Sequence, residues 1–244
     1  MSEGKFYGNK FFKELSSGSY ISAKNIVPEI IRLTKPNSII DVGCGMGAWL
    51  KAFSENGIND FVGIDGEYVN ENELLISKEK FIRHDLKNPV ELNKKFDLCV
   101  SLEVAEHLPA SSAEAFVESL IKLSDVIVFS AAIPNQLGTY HINEQYPEYW
   151  ANIFFNKGYI ASDCLRPRFW NDENICYWFK QNMLVFINKN IIDKYPEIQK
   201  YSLTTNKDYL TKIHPGIFRH KQFLRWGHYT LNTFAKIFGS KSSY

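Results

Sequence analysis

Ile39-Ile40-Asp41-Val42-Gly43-Cys44-Gly45-Met46-Gly47-Ala48-Trp49 decides how this chain folds. A short apolar run, Ser38 to Val42, meets three alternating glycines, and helix-forming residues follow from Ala48 to Phe53. Glycine lets a backbone turn tightly and approach a ligand closely, because no Cβ intervenes. A helix N-terminus behind such a turn supplies unpaired N–H groups to a polar ligand. A dinucleotide fingerprint separates its last two glycines by two residues. Here only Met46 stands between Gly45 and Gly47, and Asp41 stands near the strand end. A carboxylate at that point repels phosphate and attracts a cationic group, so the loop departs from the pyrophosphate-binding pattern.

Working outward, the same strand-then-helix rhythm repeats. Phe61 to Ile64 forms an apolar run ending at Asp65, and Phe81 to Arg83 forms another before His84 and Asp85. Phe96 to Leu102, Val126 to Phe129, and stretches near 159–163 and 182–188 complete the predicted strands. Ile26, Val27, Ile30, Ile31 and Leu33 fall close to helical spacing before Pro36, and helices are also predicted over 113–123 and 147–157. Alternating strands and helices imply βαβ units. The predicted fold is therefore α/β: a doubly wound, mostly parallel seven-stranded sheet with helices on both faces and helical additions at both ends. Ligands in such folds bind beyond the carboxyl ends of the strands, where the chain order reverses. Residues 1–190 read as one domain, and 191–244 as a helical, basic and aromatic extension.

Composition narrows the function classes. The chain has 244 residues, 45% hydrophobic and 23% charged, which is ordinary globular usage and argues against disorder. Twenty-eight basic residues balance twenty-seven acidic ones, so the net charge of +1 gives no general affinity for nucleic acid. The cysteines at 44, 99, 164 and 176 form no CxxC pair and no zinc-like spacing, which suits a reducing compartment. Cys44 and Cys99 read as small buried residues. Met-Ser-Glu-Gly-Lys opens the chain without a signal-peptide core, and no apolar run approaches the roughly 18 residues of a membrane span. A cytoplasmic location is expected.

Asp41-x-Gly43-x-Gly45-x-Gly47 after a strand resembles motif I of the class I S-adenosylmethionine-dependent methyltransferases. Asp65 matches that family's acid at the end of strand two, which takes the ribose hydroxyls. Asp85, between His84 and Leu86, matches the acid that meets the adenine amino group. Phe96-Asp97-Leu98-Cys99-Val100-Ser101 followed by Leu102-Glu103-Val104-Ala105-Glu106-His107 is similar to the fourth-strand motif. The resemblance covers roughly 20–190. It implies a Rossmann-like methyltransferase fold, S-adenosylmethionine as cofactor and S-adenosylhomocysteine as product. It also implies cofactor contacts from Asp41, Gly43, Cys44, Gly45, Gly47 and Trp49, from Asp65 and Gly66, and from His84, Asp85 and Leu86. Ser101, Leu102, Glu103 and His107 follow from the fourth strand. Asp97 reads as a strand anchor, and Glu106 with His107 either braces the next helix or contacts ligand.

Gly138-Thr139-Tyr140-His141-Ile142-Asn143-Glu144-Gln145-Tyr146-Pro147-Glu148-Tyr149-Trp150 follows the fifth strand, with proline near the start of a helix. The loop should overhang the carboxyl end of the sheet. Its rings and amides suit a polar, ring-shaped acceptor, with Tyr140, Asn143, Gln145 and Trp150 as substrate contacts. A hydrogen-bonded loop anchor is the competing reading. Together with Trp170-Asn171 and Tyr177 to Asn182, this loop resembles methyltransferases of bacterial surface-polysaccharide clusters, those for capsule and O-antigen. Gly18 to Ala23 resembles the segment such enzymes fold over the cofactor, which adds Ser19 and Ser22; a plain solvated loop is the alternative. The resemblance thus implies methylation of a sugar or sugar-linked group. Competing functions are methylation of another small molecule, and a catalytically inactive partner protein that retains the fold.

Methyl transfer to a hydroxyl gains from a positioned general base, typically roughly 10²–10⁴-fold. His141 and His107 are the candidates, since imidazole titrates near neutrality, with Glu144 acting directly or orienting a histidine. The resemblance admits a catalytic metal, since some sugar O-methyltransferases use one, but no ligand cluster in the sequence specifies it. Near the C-terminus, Phe223, Trp226, Phe234 and Phe238 share an approximate apolar side, with Arg225 and Lys236 elsewhere. Such a helix suits core packing or a homodimer contact, and alternatively a peripheral contact with a membrane or an anionic glycan carrier.

Overall fold

The glycine loop leaves a fully buried strand, β1 (Ser38–Val42), and the sheet extends to either side of it. A computed structural model describes residues 9–203 and 209–219, with side chains from Gly18 onward. β2 (Asp60–Asp65) and β3 (Phe81–Arg83) lie on one side of β1, and β4 (Leu98–Leu102) and β5 (Val126–Ser130) on the other, all parallel. Beyond β5 the direction alternates. β6 (Tyr159–Ser162) and β7 (Leu184–Asn188) pair with each other antiparallel, and β7 pairs antiparallel with β5. The strand order is β3-β2-β1-β4-β5-β7-β6-β8.

The eighth strand corrects the expected seven. β8 (Ser202–Leu203) pairs antiparallel with Ala161 and Ser162 of β6. It comes from the segment expected to be helical beyond 190, where the described part holds only short helical turns, at Ile192–Lys194, Pro196–Gln199 and 216–219. Two residues suffice because they cover backbone groups that an edge strand otherwise leaves unpaired. The basic and aromatic run from His220 to Phe238 lies outside the described residues.

Strand residues alternate between two cores. Ile39, Leu98, Val100, Val128 and Val185 face one layer; Ile40, Cys99, Ile127, Phe129 and Phe186 face the other. That alternation follows from the two-residue side-chain period of a strand. The first layer is covered by α1 (Asn9–Thr34) and α2 (Ala48–Glu55), through Ala23, Ile26, Val27 and Ile30 and through Trp49, Leu50 and Phe53. The second is covered by α3 (Ala113–Leu123) and α4 (Pro147–Asn156), with Phe116, Leu120, Trp150 and Phe154 pointing inward. Gly18 to Ala23 belongs to α1 and is not a loop. The hydroxyl of Tyr20 donates to Glu55 at 2.6 Å, tying the start of this packed stretch to α2. Among the described residues no helix is long and apolar enough to cross a membrane.

Candidate active site

β1 and β4 are neighbours whose onward connections leave in opposite directions, so a crevice opens beyond their carboxyl ends. The glycine loop forms its floor. Gly43 and Cys44 donate backbone N–H groups to the carbonyl of Ile64 at 2.8 and 3.1 Å, folding the loop over the end of β2. Gly43 and Gly45 hold left-handed φ angles of 88° and 53°. A Cβ at Gly43 would overlap the side chain of Val104, so the loop touches the segment after β4. A Cβ at Gly45 would meet nothing within 4 Å, so this backbone borders open space.

Two acids flank the floor. Asp41 is 2% exposed, and its Oδ2 has no hydrogen-bond partner. Burial, reinforced by the Asp65 charge, pushes its pKa well up. Asp65 accepts from the Gly45 and Gly66 amides at 2.5 and 2.7 Å and from the hydroxyl of Tyr68. Burial raises its pKa while those three donors oppose the rise. Ser101 Oγ is likewise buried without a partner. An unneutralised buried carboxylate is costly until a cation meets it. The residues therefore fit S-adenosylmethionine, which carries an ammonium group and a vicinal diol.

Other expected cofactor residues are placed less uniformly. Asp85 is exposed, with Oδ1 accepting from the Lys87 amide at 3.1 Å, and the His84 ring faces the Asn88 carbonyl at 3.3 Å. Leu86 and Leu102 are buried. Cys44 packs its sulfur toward Gly63. Trp49 departs from its expected place beside the cofactor: its ring meets Phe179 edge-on at 5.1 Å in the core, because α2 turns that face to α1 and the sheet. Ser22 also departs. It is fully buried, donates to Gly18 O at 2.8 Å and accepts from the Cys176 amide at 3.0 Å, which commits its hydroxyl to holding α1. Ser19 sits half-buried in the same helix. Asp97 accepts from the Asn37 and Ser38 amides at 2.8 and 3.1 Å, an anchor at the opposite end of β1.

The polar cluster lies beyond β4 and β5. The single helical turn Ala105–His107 follows β4, and the loop after β5 is stitched to it. Ile142 and Asn143 donate backbone N–H groups to the carbonyl of Glu106 at 2.9 and 3.0 Å, and the Gln145 amide reaches Ala132 O at 3.2 Å. His141 Nδ1 lies 2.9 Å from Glu144 Oε1. Glu144 is itself fixed by the Asn135 and Leu137 amides at 2.7 and 3.1 Å. The rings of His107 and His141 meet edge-on at 4.9 Å. Burial, then the charge of His141, pushes His107 down to about 4, against a backbone hydrogen bond with Tyr140.

Three carboxylates surround these rings. Glu103, at a left-handed φ of 56°, accepts from Gln136 at 2.7 Å and Asn182 at 3.1 Å. Burial raises its pKa, and those donors oppose it. Glu106 is completely buried, and neither carboxylate oxygen has a hydrogen-bond partner. Burial and then Glu103 push its pKa well up. A grouping that no spacing in the sequence marks appears here. Glu106, His107 and His141 place one ligand atom each within 4.8 Å of one another.

Tyr140 is 43% exposed at the rim, whereas Asn143 is buried with its Nδ2 unpartnered and its Oδ1 held by Gln145 at 3.0 Å. Trp150 departs from the expected acceptor wall. Its ring is 2% exposed and packs on Phe129, because Pro147, Trp150, Ala151 and Phe154 form the inner face of α4. Tyr68 and Gln136 escape sequence reading altogether, and Asn182 enters it only within the Tyr177 to Asn182 resemblance, with no role at the site. Their partners are distant in sequence or set by a turn, and no local motif marks them.

An open α/β sheet in this order, with a glycine loop and two strand-end acids at its switch point, is a class I methyltransferase fold. Residues 20–178 match a family model described as a methyltransferase domain, and the chain belongs to that family. No curated protein sequence matches the chain. Among solved structures, a chain of the Haloferax volcanii complex between the Trm112 methyltransferase activator and its methyltransferase is similar: 15% identity, 77% of this chain and 98% of that one covered, TM-score 0.56. The magnesium protoporphyrin IX methyltransferase of Synechocystis PCC 6803 with bound S-adenosylmethionine gives 18%, 75%, 88% and 0.53. The plantazolicin methyltransferase in complex with S-adenosylhomocysteine gives 16%, 72%, 86% and 0.51. At such identities the likeness is one of fold.

Proposed function

We propose that this protein transfers a methyl group from S-adenosylmethionine to a hydroxyl of a polar, ring-shaped acceptor: a sugar, or a sugar-linked group in cell-surface polysaccharide synthesis. Its cofactor is S-adenosylmethionine, which supplies an already activated methyl group when bound. Asp41 attracts the cationic end, and Asp65 accepts from the ribose. The Gly45 backbone, bordering open space, lets the ligand approach closely. Transfer then depends on proximity and alignment more than on covalent catalysis.

The observation that carries the choice of oxygen as acceptor is the His141–Glu144 pair beside the cleft. A hydroxyl is a poor nucleophile until its proton is removed. Glu144 takes the Nδ1–H of His141, which leaves the Nε2 lone pair to accept that proton. The exposed rings of Tyr140 and Tyr146, with Leu137 and Ile142 beside them, favour an acceptor with apolar faces. The sugar assignment rests on this loop and on the motif resemblance. The solved neighbours, a porphyrin methyltransferase and a plantazolicin methyltransferase among them, differ in acceptor.

Two measurements test the reading. His141→Ala should lower turnover by about a hundredfold and leave cofactor affinity in calorimetry nearly unchanged. Unchanged turnover would remove His141 from the chemistry. Methyl-labelled S-adenosylmethionine, offered with nucleotide sugars and oligosaccharides alongside phenols and carboxylic acids, should label the sugars. Label on the latter two alone would discard the sugar assignment.

A further inference from the structure

We propose that Glu106, His107 and His141 bind one divalent first-row transition-metal ion beside the cofactor cleft. The site is built from two elements that only the fold brings together: the turn after β4 and the loop after β5. Their candidate ligand atoms already lie within 4.8 Å of one another, with His141 Nε2 and Glu106 Oε1 3.9 Å apart. In a metal shell with bonds of about 2.1 Å, neighbouring ligand atoms sit roughly 3.0–3.5 Å apart, so closure needs side-chain shifts of about 1 Å.

Three further observations point to a cation. Glu106 is completely buried, and neither carboxylate oxygen completes a hydrogen bond of normal geometry; the nearby backbone amides of Glu106 and Ala132 offset the desolvation only in part. The ionisable groups acting on it most strongly include two more carboxylates, Glu103 and Glu144, which add negative charge instead of relieving it. Each imidazole is oriented from its far side. His141 gives Nδ1 to Glu144, and His107 holds the Tyr140 backbone while its Nδ1 stays unpartnered. Metal-binding histidines are oriented in this manner, one nitrogen on a carboxylate or carbonyl and the other on the ion.

The donor set also selects the ion. Two imidazoles and a carboxylate favour zinc, cobalt, manganese or iron(II) over magnesium and calcium, which prefer oxygen ligands. Three protein ligands leave an open position, as catalytic sites do, and a hydroxyl acceptor could occupy it. That role rests on the methyl-transfer reading, whereas the binding itself does not. Binding the ion through His141 Nε2 would take that nitrogen out of the general-base role proposed above, and acidification of the hydroxyl would then fall to the ion.

Chelator-treated full-length protein titrated with Co²⁺ reads the site directly, because tetrahedral or five-coordinate cobalt absorbs visibly. One equivalent should develop the band, Zn²⁺ should displace it, and equimolar Mg²⁺ should not. Glu106→Gln and His107→Ala should abolish the band. Glu144→Gln, which removes only the carboxylate behind His141, should weaken binding by roughly 10–100-fold. An unchanged far-UV circular dichroism spectrum and a cooperative urea transition certify that each variant is folded. Absence of the band in the wild type, or a band indifferent to Glu106→Gln in a folded variant, overturns the site. Turnover that survives chelation while His141→Ala still lacks it overturns the ion's role and returns His141 to general base. Failure of S-adenosylmethionine to bind would strike the methyltransferase reading and leave the cobalt result standing.

Discussion

Tyr68 donates its phenolic hydroxyl to Oδ1 of Asp65, the carboxylate that ends β2 and that the cofactor's ribose should meet. The Gly66 amide shares that oxygen, and the Gly45 amide holds the other. A ribose must therefore displace the phenol or crowd beside it, and Tyr68, 40% exposed, has room to swing outward. Asp65→Ala should weaken S-adenosylmethionine binding at least tenfold, since charged hydrogen bonds contribute about 1.5–3 kcal/mol each. Tyr68→Phe should tighten it by roughly fivefold, about 1 kcal/mol, by removing the competitor. Calorimetry on both variants checks the pair. Unchanged affinity in a folded Asp65→Ala would place the ribose elsewhere.

Gly45 combines a φ of 53° with open space where its Cβ would be. Valine there meets two penalties. A β-branched residue in the left-handed region costs about 1–3 kcal/mol, and its methyls fill the space the cofactor needs. Gly45→Val should reduce cofactor affinity at least about tenfold while lowering the thermal midpoint by roughly 2–12 °C. Equal affinity in titration would mean that the ligand does not pass over this backbone.

His107 gives the protein a pH dependence whose sign is fixed. Its folded pKa is pushed down to about 4 from 6.5, so between these values the unfolded chain binds the proton and the folded one does not. Stability linked to His107 is complete above about 6.5 and is lost as pH falls toward 4, in total about 3 kcal/mol at 1.36 kcal/mol per pH unit. Glu106, whose pKa is raised, works in the opposite sense, so the comparison must be between variants. Urea midpoints of chelator-treated wild type and His107→Gln should converge as pH drops from 7 to 4. Parallel curves would show that the ring is protonated in the folded protein.

Arg166 is a stability residue in the outer half of the sheet. Its side chain is 1% exposed, with Nε on Asp163 at 2.7 Å and Nη1 on the carbonyls of Gln181 and Leu210 at 3.0 and 2.7 Å. It thereby joins the end of β6, the approach to β7 and the segment near Leu210. Arg166→Met should cost about 3–5 kcal/mol, since it strands Asp163 with Lys212 as its remaining partner and leaves two buried carbonyls unpaired. A urea denaturation midpoint equal to wild type would show the guanidinium to be idle.

What the sequence determined was local in origin. Glycines at 43, 45 and 47 and acids at 41 and 65 mark a loop and two strand ends, because positive φ and strand termination are properties of a few consecutive residues. The two-residue and 3.6-residue periods likewise marked the strands and the helices over 113–123 and 147–157 to within a few positions. By contrast, α1 begins at Asn9, well ahead of the apolar run that marked it, and the short helices Arg166–Phe169 and Tyr177–Asn182 went unmarked. Even the burial of Trp150 was legible, since Pro147, Trp150, Ala151 and Phe154 recur at helical spacing; its aromatic surroundings pointed toward ligand instead. β8 was not legible, because two residues carry no period.

The chemistry of the site was decided by tertiary structure. His141 reaches Glu144 within its own loop, but its approach to Glu106 and His107 exists only because the backbone of Ile142 and Asn143 docks on the carbonyl of Glu106. Glu103 meets Gln136 and Asn182 from 33 and 79 positions away. Nor does composition tell that Glu106 is completely buried with neither carboxylate oxygen in a full hydrogen bond, which is what gives a common residue type a need for a cation. Side-chain periodicity is written along the chain, whereas desolvation and contact are set by what the rest of the fold brings against a residue.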